Sequence, residues 1–447
     1  MRKLLIKNGT VVTFQESRFV SKNTDILIEG QKIKKIKESI PSQEADSIID
    51  ASNMIVMPGL IDTHRHNWES IVRNIGTDWT LNNYMQHMYF GKIGSRLRPK
   101  DAYIANYFGA LEALNAGVTT MLDWSMIQGP EHTDALIKGL QDSGIRSVFA
   151  YGLPDTEEYW HPASELSHPK DSYRVKKEYF QSNDQLLTMG LAIRGPETSS
   201  WKATVQDINM AKDLDVLCSM HLGMGVTGVE SKSISKLYEH NLLSPSTNIV
   251  HANGNSVEEF KMLKEYGASV SVLPEVEMMM GHGDPITGKV LSAGYKPSIG
   301  VDVVTSVSGD LFSQMRFMLQ AERARRNQEI LNSGENVENL SLKATDIFEC
   351  STIVGAKSLM LDKKIGSIEE GKEADIILID TVDFNMMPII DPVGSVIQFA
   401  NPSNVDTVIV SGKIVKRNKK MIDVDVLKLK SKVYEAMEHV TKEYAGI

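Results

Sequence analysis

Four apolar runs in this chain each end on a metal-ligating side chain, and their separation constrains the fold more than any other feature. Met54-Ile55-Val56-Met57-Pro58-Gly59-Leu60-Ile61-Asp62-Thr63 reads as a buried strand and leads into His64-Arg65-His66. Strand side chains alternate between faces, so His64 and His66 can point together at one ion while Arg65 points away. Val216-Leu217-Cys218-Ser219-Met220 leads to His221, Asn248-Ile249-Val250 to His251, and Ser298-Ile299-Gly300-Val301 to Asp302. The 238 residues from His64 to Asp302, spread over seven strand–helix steps, give 34 per step. An eight-fold β/α barrel of ordinary length averages roughly 31. The spacing therefore suits ligands at the C-terminal ends of strands one, five, six and eight of one barrel, where such enzymes keep their chemistry. Taken alone, His64 and His66 also fit two surface histidines near a turn.

The remaining strands of the barrel are expected at 119–122, 146–150, 188–193 and 269–273, with helical patterns between them. Tyr107, Leu111 and Leu114 recur at helical spacing before Gly117, and Leu311, Met315, Met318 and Leu319 form another stripe. Arg323, Arg325 and Arg326 read as the solvated face of that second helix. A last helix carries Leu429, Val433, Met437, Val440 and Tyr444 on one face.

Composition excludes several classes. A net charge of −9 leaves no basic footprint for nucleic acid. No run approaches 18 apolar residues, so no membrane span is expected, and the first residues lack the pattern of a secretory signal. The two cysteines, Cys218 and Cys350, form no disulfide framework and suit a reducing cytoplasm. Cys218 reads as a small buried hydrophobe rather than a ligand. Two cysteines 132 residues apart also exclude the zinc nucleobase deaminases that use a P-C-x-x-C motif.

Further motifs carry a resemblance. They are Pro58-Gly59-Leu60-Ile61-Asp62-Thr63-His64-Arg65-His66, Gly117-Val118-Thr119-Thr120, His221, His251 and Asp302. They are flanked by 24–33 and by 366–376 and 408–413. In this order, over nearly the whole chain, they resemble the amidohydrolase superfamily in its cytosine-deaminase-like and chlorohydrolase-like branch. The resemblance implies a (β/α)8 TIM barrel with a small β-sandwich domain built from both termini. The expected organisation is a β-sandwich from 1–55 and 366–420, a catalytic barrel over 56–365, and a C-terminal helix over 421–447. The family often forms homo-oligomers.

Three neutral imidazoles and one carboxylate suit a single divalent ion, Zn²⁺ or alternatively Fe²⁺. His64, His66, His221 and Asp302 are the expected ligands. The ion would bring the pKa of a bound water to about 7. His251 is similar to the family histidine that hydrogen-bonds the hydroxide or the substrate. Asp302 would take the water's proton and pass it to the leaving group. Some members hold two metals through a lysine on strand four, but here that strand ends in Ala192-Ile193-Arg194-Gly195-Pro196, so one metal is expected.

The chain departs from the family at one position. Deaminases of the branch usually carry a glutamate three residues after the strand-five histidine, and His221-Leu222-Gly223-Met224 has methionine there. Glu275 and Glu277 after strand seven, and Glu69, are candidates to replace it, or are structural and surface carboxylates. Trp68 and Trp124 either stack on a planar heterocycle or pack in the interior. Arg194 binds a carbonyl or carboxylate, or forms an ion pair. His282, in Met280-Gly281-His282-Gly283-Asp284-Pro285, is a candidate substrate contact. The expected activity is hydrolysis of a non-peptide C–N bond of a small nitrogen heterocycle, first by deamination of a purine-, pterin- or triazine-like ring. Opening of a cyclic amide or related ring is the alternative, and a non-catalytic relative that kept the fold is a third. Partners are a small-molecule substrate, with neither nucleic acid nor membrane.

Overall fold

The computed structural model describes residues 2–15 and 18–444. Contacts divide the chain into two compact units: Met1–Asp62 with Glu112–Thr120 and Asp310–Val424, and Thr63–Leu111 with Met121–Gly309 and Asp425–Ile447.

In the first unit, strands from both ends of the chain make one mixed sheet of nine. Lys3–Gln15 pairs antiparallel with Arg18–Glu29 and parallel with Ser47–Asp50 and Met54–Pro58. Met54–Pro58 pairs antiparallel with Ile376–Asp380, which brings the C-terminal strands in. Alternation fixes the register: Leu4, Ile6, Ile26, Ile28, Val56, Ile376, Leu378 and Ile409 share one buried cluster. A strand in isolation cannot hide such a face, so the two distant segments need each other.

The second sheet has eight strands ordered along the chain: Leu60–Arg65, Val118–Met126, Arg146–Leu153, Leu187–Ile193, Leu217–Leu222, Thr247–His251, Ser269–Val272 and Ser298–Ile299. The pairs from the third strand to the eighth are parallel. The barrel closes where Asp302 bridges Arg65 in parallel. There the His66 amide donates to the Asp302 carbonyl at 2.9 Å and the Asp302 amide to that of His64 at 3.0 Å. The 22-residue helix Leu311–Asn332 follows the last strand, and Val426–Thr441 is the final helix. No described helix is long and apolar enough to cross a membrane.

Two features depart from a plain reading of the pattern. The single apolar run 54–63 is two strands broken at Gly59, the first in the terminal sheet and the second in the barrel. A Cβ at Gly59 would lie 2.0 Å from Thr119 Oγ1, so only glycine allows the chain to pass there. The barrel interior also holds a polar layer. Thr63 Oγ1 donates to Ser298 Oγ at 3.0 Å and accepts from Ser271 Oγ at 2.9 Å, and Asn248 Nδ2 donates to Ser271 Oγ at 3.0 Å. These side chains are buried, and the network removes the penalty of burying them.

Candidate metal centre and its cavity

The strand ends bring His64, His66, His221 and Asp302 to one point, with a ligating atom of each within 4.8 Å of all the others. His64 Nε2 lies 3.2 Å from His66 Nε2, 3.1 Å from His221 Nε2 and 3.3 Å from Asp302 Oδ1. His66 Nε2 lies 3.4 Å from the same Oδ1. A tetrahedral ion with bonds of about 2.0–2.1 Å separates its ligands by about 3.3–3.4 Å, so this donor set fits one divalent cation. Burial first, then the charge of His64, pushes the His66 imidazole down to about 3. Burial also takes His221 well below its ordinary value. Burial alone would raise Asp302. The hydrogen bond from His64 and the charges of His251, His64 and His66 overcome it and hold the carboxyl well below the usual range. Neutral imidazoles and an ionised carboxylate are the states that ligate metal.

The backbone is strained at the same place. His251 has φ 70° and Asp302 φ 73°, the left-handed region that costs roughly 1–2 kcal/mol for residues with a Cβ. Both side chains are buried, and His251 Nε2 lies 3.6 Å from Asp302 Oδ2. On its other side, His251 Nδ1 lies 3.3 Å from Glu277 Oε1, which also accepts the Leu273 amide at 2.9 Å. Glu277 thus orients His251 and selects the proton position on its ring.

A cavity of about 240 Å³ opens over the cluster. Trp124 lines it and packs on the imidazoles, with ring centroids 4.6 Å from His221 and 5.1 Å from His66. His282 lines it edge-on to His251 at 4.5 Å, and both of its ring nitrogens are buried without a hydrogen-bond partner in the protein. Burial, then the charge of His251, pushes its imidazole down to about 3. Arg194 also reaches the cavity, but it donates to the Tyr159 and Leu166 carbonyls. Its guanidinium lies 3.6 Å over the Tyr159 ring and 3.8 Å from Asp207. Both of its terminal nitrogens therefore have partners in the fold, while its Nε is buried without one. Trp68, Glu275 and Glu277 are not among the residues lining the cavity. Trp68 packs edge-on to Tyr89 at 5.9 Å. Glu69 is buried beneath Tyr84, whose hydroxyl donates to it, and burial raises its carboxyl well above the ordinary value.

Sequence reasoning missed Tyr84, Tyr89, Trp160 and Glu197, all of which line the cavity. Tyr84 lies on the short helix Leu81–Met88, which has no metal-ligand signal. Glu197 was findable, because it follows barrel strand four by four residues and catalytic groups collect at such ends.

One neighbour of the site offers a stability test. Asp123 is buried, accepts from Asn106 Nδ2 at 2.8 Å and Ser125 Oγ at 2.9 Å, and is pushed up to about 6 chiefly by burial. A raised folded-state value means the native protein holds the proton between about pH 4 and 6 while the unfolded chain releases it. Stability from this group is therefore lost as pH rises through that window. The stability difference between Asp123→Asn and the native chain should shift in the variant's favour by up to about 3 kcal/mol from pH 4 to pH 7. Urea titrations at both pH values read this, and a constant difference would show that the carboxyl is not strained.

An eight-stranded barrel with three histidines and an aspartate at its C-terminal end defines a metal-dependent hydrolase. The model of the amidohydrolase family matches residues 55–415, and the chain belongs to that family. It is a hydrolase acting on carbon–nitrogen bonds, with a site for a divalent metal. The 5-methylthioadenosine/S-adenosylhomocysteine deaminase of Thermoanaerobacter pseudethanolicus is 27% identical over 95% of this chain and 96% of its own length. The 5'-deoxyadenosine deaminase of Methanosphaera stadtmanae is 26% identical over 94% and 95%. Among solved structures, an adenosine deaminase from Xanthomonas campestris with bound zinc superposes with a TM-score of 0.84 at 20% identity, covering 99% of each chain. An atrazine chlorohydrolase from Arthrobacter aurescens complexed with zinc gives 0.83 at 21%, over 97% of this chain and all of the other.

Proposed function

We propose that this protein is a zinc-dependent deaminase of adenine nucleosides and related amino-substituted heterocycles. The convergence of three imidazole nitrogens and the Asp302 carboxylate on the floor of an aromatic-walled cavity carries the reading. Its curated relatives, deaminases of adenosine derivatives matched over nearly their full length, support the substrate class. Zinc in the two superposed structures supports that ion over iron. When bound, the ion supplies a Lewis acid that brings the pKa of a water to about 7.

The chain's own residues do the rest. His64, His66, His221 and Asp302 hold the ion. Asp302, ionised and with Oδ2 turned toward His251, accepts a proton from the water and returns it to the leaving amine. His251, oriented by Glu277, hydrogen-bonds the attacking water or the substrate's ring nitrogen beside the carbon under attack. Trp124, Tyr84, Tyr89 and Trp160 wall the cavity with ring faces and edges that suit a planar base and exclude bulk water.

Zinc-loaded protein is expected to release ammonia from adenosine, 5'-deoxyadenosine, 5'-methylthioadenosine or S-adenosylhomocysteine with kcat/KM of about 10⁴ M⁻¹s⁻¹ or more. Aminated pterins and triazines complete the panel. Met224 favours a second reading, ring opening, which needs no separate carboxylate at that position. Silence on every aminated ring, with turnover of cyclic amides, would establish it instead.

A further inference from the structure

Met224 occupies the place where the resembled deaminases carry a proton-transferring glutamate, and it lines the cavity. A thioether carries no proton, so deamination here needs another carboxyl facing the substrate. Three carboxylates lie near. Glu277 stands behind His251 and is committed to its imidazole and the Leu273 amide. Glu69 lies beneath the Tyr84 hydroxyl and is not among the lining residues. Glu197 does line the cavity, and it is only partly buried.

Its placement is tied to the vacated position. Gly223, immediately before Met224, has φ 72° and turns its amide toward Glu197, donating to Oε1 at 3.1 Å and Oε2 at 3.0 Å. A Cβ at Gly223 would lie 2.2 Å from Asn255 Oδ1, so this turn admits only glycine. Ser231 Oγ holds Oε1 from the far side at 2.8 Å. The end of strand four thus delivers a carboxylate to the loop that in related deaminases carries its own.

We infer that Glu197 is the proton carrier of this enzyme, relocated from strand five to strand four, in a proposal that rests on the deaminase reading above. In the addition step the water oxygen bonds to the amine-bearing carbon, and Glu197 takes one water proton and gives it to the adjacent ring nitrogen. In the elimination step the carbon–nitrogen bond to the amine breaks. The remaining hydroxyl proton, carried by Asp302, leaves with it as ammonia, and the ring keeps a carbonyl and an N–H. Glu197 ends as it began, and the sum is water plus the amino-substituted ring giving the ring lactam plus ammonia.

The test compares zinc-loaded native protein, Glu197→Gln and the double variant Glu197→Gln/Met224→Glu on the best substrate of the ammonia panel. Glutamine still accepts the Gly223 amide and the Ser231 hydroxyl, so the scaffold is kept and only the proton-carrying function is lost. Glu197→Gln should lower kcat at least about 100-fold with KM within about fivefold. The double variant should recover at least about tenfold by restoring a carboxyl on strand five. A glutamine variant within threefold of native kcat, or no recovery in the double variant, would overturn the relocation while leaving deamination intact. Native protein that deaminates nothing would instead overturn the functional reading, and this inference with it.

Discussion

Asp302→Asn should lower kcat by about 10³-fold or more without unfolding the protein. Asp302 does three things, and the substitution separates them. Its carboxylate oxygens lie 3.3 Å from His64 Nε2 and 3.4 Å from His66 Nε2 on one side and 3.6 Å from His251 Nε2 on the other. An amide is a weaker ligand and no base, so ion binding and proton transfer both suffer. The third role is structural and survives. The main chain of residue 302 closes the barrel through the His66 amide and the His64 carbonyl, and neither bond involves the side chain. The φ of 73° at this position is one that asparagine tolerates better than most residues, so the strain does not grow. The measurement is ammonia release beside thermal unfolding. Activity within tenfold of native, at matched zinc content, would remove Asp302 from the chemistry.

Stripping the metal is the second large effect. Dialysis against a chelator should reduce activity below about 1%, and one equivalent of Zn²⁺ should restore it. The pH dependence of rebinding gives a sharper check. Protons compete with metal only below the pKa of each imidazole, and burial pushes His66 down to about 3 and His221 well below its ordinary value. Those two imidazoles should therefore contribute less than about tenfold to any change in the apparent zinc Kd between pH 7 and pH 5. Two solvent-exposed histidines titrating near 6.5 would instead contribute a loss of roughly 600-fold over the same interval. Bound zinc at 100 times its Kd should also add about 2.7 kcal/mol of stability. A loss of about 10³-fold or more by pH 5 would mean that His66 and His221 are not held neutral by burial.

The metal cluster was legible in the sequence because both of its determinants are local. Period-two alternation puts His64 and His66 on one side, and the recurrence of strand, helix and strand at about 34 residues returns the chain to the same barrel end for His221, His251 and Asp302. The walls of the cavity were not legible. Tyr84 comes from a short helix and Trp160 from a turn, and neither follows a repeat that predicts where its side chain points. Trp68 shows the converse: it sits just past a strand end, yet it is not among the residues lining the cavity and packs edge-on to the Tyr89 ring. Arg194 does line the cavity, with the Tyr159 and Leu166 carbonyls as partners of its guanidinium.

By itself, then, the sequence determined the barrel, the terminal strands and five candidate residues at the strand ends from periodicity along the chain, and the family resemblance separated the four expected ligands from His251. Only the tertiary structure decided that one apolar run is two strands, split where Thr119 leaves no room for a Cβ at Gly59. Only it showed which carboxylate faces the cavity: Glu197 lies 27 positions before Met224 in the chain, and the Gly223 amide joins the two neighbourhoods. Contacts of that kind depend on how two strand ends pack side by side, which no spacing along a single chain encodes.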